Sequence, residues 1–255
     1  MKHPLKDEMR WVPIACECEI NAIDDFREEQ AQKEKQNKIK KLLKLSSELE
    51  DMRKKTFDNF IDRKGTEKTK QAVLEAVKEF ESNKKGLFIF GETGNGKSHL
   101  TSAGGNKLME EGYAVIFLTE KDLFERLKAT RNFRNEESYN EIMSACLEAD
   151  LLIWDDFLSV QNLTKEEKDF IFQVTNGRER GNKPIWFTSN LSPKEIESDE
   201  IVYKIDERGR TWWRILANTR RVYNRGTNRR KAQVMAEAMG ISIEEYEGGN
   251  YAGNE

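Results

Sequence analysis

Eight consecutive residues constrain this chain more than any others: Gly91-Glu92-Thr93-Gly94-Asn95-Gly96-Lys97-Ser98, a G-x-x-x-x-G-K-S pattern. In such a loop the glycines let backbone N–H groups curl around an anion with no Cβ in the way. The lysine reaches β- and γ-phosphate oxygens, and the serine hydroxyl ligates Mg²⁺. The flanks agree with this reading. Gly86-Leu87-Phe88-Ile89-Phe90 is a short apolar run that suits a buried strand. The residues from Lys97 onward can start a helix whose N-terminus faces the phosphates. His99 lies inside that helix and is grouped with the loop as a nucleotide-site residue, its ring expected to pack or hydrogen-bond rather than to catalyse.

Hydrolysis needs more than a phosphate cradle. Leu151-Leu152-Ile153-Trp154-Asp155-Asp156 is an apolar strand ending in two acids. Asp155 would hold Mg²⁺ through water, and Asp156 would orient or deprotonate the attacking water. Thr188-Ser189-Asn190 closes another apolar run, and the Asn190 amide at that tip can hydrogen-bond a γ-phosphate or the lytic water. The candidate strands are 86–90, 114–118, 151–154 and 184–188. Each is an unbroken apolar run bounded by helical or polar segments, the pattern of a parallel sheet covered on both faces. The expected fold class is therefore α/β, a parallel sheet flanked by helices.

Three regions follow along the chain. Residues 1–55 read as an appendage. From 24 to 55 it is helix-forming and charged, with Ile39, Leu42, Leu43, Leu45 and Leu49 as a thin apolar stripe. That stripe suits either a solvated helix resting on the next domain or a partner-binding helix. Residues 56–230 carry the strand–helix alternation and every nucleotide motif. Residues 231–255 read as a short helix and an acidic, Gly-rich tail. No run approaches the ~18 apolar residues of a membrane span, and the start lacks the apolar stretch of a secretory signal. Three cysteines, Cys16, Cys18 and Cys146, make no disulfide framework, so a reducing, cytoplasmic setting is expected. Net charge is −3, but residues 204–231 hold ten Lys or Arg against two acids.

Phosphate loop, acid-tipped strand and Asn-tipped strand, in this order, resemble an AAA+ ATPase. Gly96-Lys97-Ser98-His99-Leu100, Asp150-Leu151-Leu152-Ile153 and Thr188-Ser189-Asn190-Leu191 resemble the bacterial replicative helicase loaders of the DnaC and DnaI type and their phage relatives. Thr56-Phe57-Asp58-Asn59-Phe60 is similar to those loaders' entry to the ATPase domain, and Gly226-Thr227-Asn228-Arg229-Arg230 to its ending. The resemblance covers about residues 40–230. It implies that an arginine from one subunit completes its neighbour's site, with Arg208 matching the finger. Lys204 stands where the family has a further arginine, and an ammonium is a poorer bidentate partner. Arg229 matches the arginine that senses nucleotide from the end of the domain. Asp156 stands where many AAA+ proteins have Glu, one methylene longer, which implies a slow ATPase used as a switch.

The resemblance also implies single-stranded DNA contact after the helix that follows the second strand, at Lys128, Arg131, Phe133 and Arg134. There cations would track phosphates and an aromatic would stack on a base. A solvated helix end with one buried Phe explains the same residues. The basic stretch 204–231, with Trp212, Trp213 and Tyr223 interleaved, could approach DNA, or serve as finger, sensor and core. Cys16-x-Cys18 could give two thiolates to zinc, with only His3 near as a third ligand. Four ligands are usual, so zinc is not favoured. Cys146, in an apolar helix-like stretch, is expected in the core. The function expected from the resemblance is an ATP- and Mg²⁺-dependent loader of a hexameric replicative helicase onto single-stranded DNA. It would self-associate through a trans arginine and work away from membranes. A transposition helper ATPase of the IstB kind, or a nucleotide-gated adaptor without turnover, shares the same core motifs.

Overall fold

A computed structural model describes residues 49–132 and 137–248, together with Ser46 and Asn135. Chain contacts divide the protein after Lys40. The Cys16/Cys18 pair, the apolar stripe up to Leu45, Phe133, Arg134 and the tail beyond Gly248 lie outside the described residues.

The elements alternate as the apolar runs require. In chain order they are α1 (Leu49–Arg53), α2 (Glu67–Lys78), β1 (Gly86–Phe90), α3 (Lys97–Glu110), β2 (Val115–Thr119), α4 (Glu120–Ala129) and α5 (Tyr139–Glu148). There follow β3 (Leu151–Asp155), α6 (Lys165–Arg180), β4 (Ile185–Ser189), a 3₁₀ turn (Glu195–Glu197), α7 (Asp199–Val202) and α8 (Arg210–Ala217). The chain then forms β5 (Thr219–Tyr223), α9 (Arg229–Met239) and α10 (Ile243–Gly248). Local chemistry sets the helix starts. Ser138 with Glu141, and Thr164 with Glu167, form reciprocal capping boxes at α5 and α6. The Thr119 hydroxyl accepts the Asp122 N–H at α4, and the Asn228 side chain accepts the Lys231 N–H at α9.

All strand pairs are parallel, in the order β2-β3-β4-β1-β5. The four expected strands are all present. The three after the first end one residue later than their apolar runs, because Asp155, Thr119 and Ser189 continue the ladder into polar tips. Pro184, which has no N–H to give, contributes its carbonyl and stays outside β4. The fifth strand escaped the apolar criterion. Only Thr219 and Val222 of β5 are buried, and Arg220, Arg221 and Tyr223 are exposed.

Strand alternation sorts the core into two layers. Leu87, Ile89, Val115, Phe117, Leu151, Ile153 and Trp186 face Val73 of α2 and Leu100 and Leu108 of α3. A Cβ on Gly104 would lie 2.6 Å from Val73 and 2.7 Å from the Trp186 ring, so α3 sits closer to the sheet than any larger residue permits. On the other face Phe88, Trp154, Phe157, Phe187 and Trp212 pack as one aromatic layer, with Phe88 edge-on to Trp212 at 5.4 Å and Phe157 against Phe187 at 4.6 Å. Met52 of α1 is buried in the first layer, and the Asn106 amide donates to the carbonyls of Met52 (2.8 Å) and Lys55 (2.7 Å). Cys146 is buried, as expected, and burial pushes its thiol up to about 12.

Candidate nucleotide-binding site

Parallel pairing brings the C-terminal tips of β1, β3 and β4 side by side, with Phe90 opposite Ser189 and Trp154 opposite Phe187. In an open parallel sheet this is the end where ligands bind. The phosphate loop leaves β1 through Gly91 (φ 142°) and Gly94 (φ 70°). It enters α3 through Gly96 (φ 96°), which caps the helix in the left-handed region. Asn95 is fully buried and anchors the loop. Its amide donates to the Asn224 carbonyl (3.0 Å), and the Asn224 amide donates back to the Asn95 carbonyl (3.1 Å).

Lys97 lies where the three tips converge. Its ammonium donates to the carbonyls of Gly91 (2.9 Å) and Glu92 (2.7 Å), to Asn95 Oδ1 (3.2 Å) and to Asn190 Oδ1 (3.0 Å). Burial lowers its pKa to about 8, against the opposing pull of Asp156, Asp155 and Glu92. Asn190 uses its other end as well, its Nδ2 donating to Asp156 Oδ1 at 3.1 Å. One amide thus joins the loop lysine to the second acid of β3. The two acids are set by β4. The Thr188 hydroxyl donates to Asp155 Oδ1 and accepts the Asp156 N–H at 3.0 Å. Phe157 N–H donates to the Thr188 carbonyl at 2.8 Å. Asp156 itself turns out of the strand with φ 51°. Burial raises the Asp155 pKa, offset by hydrogen bonds from Thr188 and from the Ser98 hydroxyl. Ser98 and Asp155 are therefore neighbours across the loop. Two hard oxygen donors, with phosphate and water completing the shell, fit Mg²⁺.

The remaining predicted residues separate by location. Glu92 and Thr93 are exposed at the crown of the loop. The His99 ring packs edge-on to Phe60 at 5.2 Å, with Nε2 2.9 Å from the Thr56 carbonyl oxygen. Its role is therefore to fix α3 to the 56–60 segment. Arg229 donates its backbone N–H to the Gly94 carbonyl at 3.0 Å, which brings the start of α9 against the loop. Arg208 is exposed; its backbone N–H donates to Asp206 Oδ1 at 3.1 Å, and its guanidinium makes no ion pair among the described residues. Lys204 is turned inward, its ammonium 2.9 Å from the Leu158 carbonyl. Lys128 and Arg131 pair with Glu167 and Glu166 of α6.

Three functional neighbours were not singled out from the sequence. Thr188 was noted only as part of a strand ending. Asn224 lies in the basic stretch with no pattern of its own. Glu120, fully buried at the tip of β2, accepts the N–H groups of Leu158 (2.8 Å) and Val160 (2.9 Å) and so holds the loop that follows Asp156. An acid directly after a strand whose neighbour ends in acids was its only signal.

A five-stranded parallel sheet with these three tips defines a P-loop ATPase fold of the AAA+ class. Residues 20–199 match the family of IstB-like ATP binding proteins, and the chain belongs to that family. It is 30% identical over 166 residues to the replicative helicase loader DnaC of Buchnera aphidicola subsp. Baizongia pistaciae, covering 65% of this chain and 67% of that protein. It is 29% identical to Escherichia coli K12 DnaC over 55% of this chain and 57% of the relative. Among solved structures, the DnaC helicase loader superposes with a TM-score of 0.58 at 20% identity, over 69% of this chain and 99% of that one. Among the described residues no helix is long and apolar enough to cross a membrane.

Proposed function

We propose that this protein is an ATP-dependent loader of a hexameric replicative helicase, serving a phage or mobile element. The observation that carries the ATPase half is the Lys97–Asn190–Asp156 chain of hydrogen bonds. A γ-phosphate is the group that all three side chains would meet together, so its arrival and loss are felt at once by the loop, the water-orienting acid and the tip of β4. Mg²⁺, when bound at Ser98 and Asp155, would neutralise charge on the β- and γ-phosphates. Asp156 orients the attacking water, and its short side chain favours slow turnover. Arg208, exposed and with its guanidinium in no ion pair among the described residues, would serve a neighbouring subunit's site. The loader half is supported by the similarity to DnaC, and the N-terminal appendage, residues 1–55, is given the helicase grip. The description of the family favours a second reading, a helper ATPase for a transposase.

Co-elution separates the two. The full chain, with ATP, should co-elute with its cognate replicative helicase, and a chain lacking residues 1–40 should not. Co-elution with a transposase and not with helicase would select the second reading.

A further inference from the structure

We propose that the open edge of the sheet, along β5, is a track for single-stranded nucleic acid. β5 ends the strand order, with β1 on one side and, among the described residues, no strand on the other. A groove of about 550 Å³ runs between it and α2, where Lys68, Arg220, Arg221 and Arg225 face one acid, Glu67. That acid is already engaged, accepting the Gly65 N–H at 2.7 Å. The groove continues through a second cavity of about 290 Å³, which shares Arg220 and Arg221 and adds Lys85 and one acid, Glu79. A third cavity, of about 460 Å³, shares Lys85 and reaches Lys84 and Lys183 at the opposite end of the sheet from the phosphate loop, with one acid, Glu179, that pairs with Arg214. Cations thus outnumber acids along the path.

Some of these charges are engaged and some are not: Lys84 donates to the Phe80 carbonyl at 2.7 Å, and Lys183 to the Glu148 carbonyl. Arg220 pairs with Glu75, and the Arg221 guanidinium donates to the Leu216 carbonyl at 3.0 Å. Lys68, Lys85, Arg221 and Arg225 have no carboxylate partner among the described residues. By contrast, Lys128 and Arg131 are each held by an acid. At the phosphate-loop end of the track stands Tyr223, 39% exposed, one face stacked on Phe90 at 5.3 Å and the Arg225 guanidinium 6.0 Å from the ring centroid. A backed, part-exposed ring beside a row of cations is the arrangement that stacks a base while tracking a phosphate backbone. A duplex, its bases already stacked, has no use for the ring. An acidic peptide would use the cations and the strand edge without the ring. The next residue, Asn224, clasps Asn95 of the phosphate loop, so a bound strand lies one residue from the nucleotide site.

The test is fluorescence anisotropy of labelled oligo(dT) with the full chain over a salt series, with ATP titrations and helicase co-elution read in parallel. Arg221→Glu with Arg225→Glu should weaken binding by about tenfold or more and flatten the salt dependence by ~0.7 per lost phosphate contact. Tyr223→Ala should weaken it by about tenfold at every salt concentration, and Tyr223→Phe should retain it. Lys85→Glu should weaken a long oligonucleotide and spare a short one. ATP affinity should be unchanged in all four, which also reports that they fold. Wild-type oligonucleotide binding in the arginine pair overturns the track. So does full binding by Tyr223→Ala, equal sensitivity of a duplex, or displacement of oligo(dT) by polyglutamate at matched charge, which would assign the edge to an acidic protein segment. Loss of helicase co-elution alone would overturn the loader reading and leave the track standing.

Discussion

At the scale of single residues, the site divides its labour among side chains that touch one another. In the proposed function Lys97 and Asn190 would meet the phosphate, Ser98 and Asp155 would hold the metal, and Asp156 would orient the water; in the fold Lys97 bonds Asn190 and Asn190 bonds Asp156. Substitutions should therefore separate binding from turnover. Lys97→Ala removes a charge-assisted contact of roughly 1.5–3 kcal/mol, so ATP affinity in a calorimetric titration should fall by tenfold or more. Asp156→Asn and Asn190→Ala should keep most of that affinity and lose phosphate release. Wild-type turnover in Asp156→Asn would show that another group activates the water. Glu120 gives a prediction in pH. Burial raises its carboxyl from 4.5 to about 7, opposed by the N–H groups of Val160 and Leu158 and by Lys204. The folded protein thus holds this proton more tightly than the unfolded chain. Its stabilising contribution is complete below about pH 4.5 and is lost as pH rises through about 7. Urea midpoints should show the wild-type advantage over Glu120→Gln shrinking from pH 5 to pH 8, by up to roughly 3 kcal/mol. A constant difference across that range would mean that Glu120 is ionised throughout.

At the scale of elements, the phosphate loop depends on a segment far away in sequence. Asn224 clasps Asn95, and Asn228 and Arg229 close over Gly94. A Cβ on Gly94 would collide with the Asn228 side-chain oxygen at a φ of 70° that L residues rarely adopt. Gly94→Ala should therefore destabilise the fold by about 1–3 kcal/mol and weaken ATP binding. A thermal midpoint equal to wild type would show that the 224–229 segment yields without loss. This dependence also explains what was legible in the chain and what was not. The phosphate loop, the Asp155-Asp156 tip and the Asn190 tip could be read because each follows an unbroken apolar run. The same rule recovered four strands. β5 was missed because an edge strand buries little and can carry arginines. Asn224 and Glu120 were missed because their roles depend on contacts across the sheet, Asn224 with Asn95 and Glu120 with the 158–160 loop. Helix-end cations at Lys128 and Arg131 read as free charge, whereas the fold sets acids of α6 beside them.

At the scale of the whole molecule, the proposed function gives the exposed guanidinium of Arg208 to a second subunit's site. Arg208→Ala should bind ATP nearly as wild type and lose partner- or DNA-stimulated hydrolysis, by ~10³-fold if the finger acts on the breaking phosphoryl bond. Mixed with Asp156→Asn, it should regain some phosphate release, since one protein lends its arginine to the other's intact acids. If no ratio of the two recovers activity although they co-assemble, the finger lies elsewhere, with Arg210 and Arg214 next to test. The role as a loader is tested most directly on closed circular single-stranded DNA, where a ring helicase has no end to thread. Helicase retained on the circle after gel filtration should require this protein and ATP, and should drop to background with Lys97→Ala. Equal helicase retention with and without the protein would contradict the proposed function.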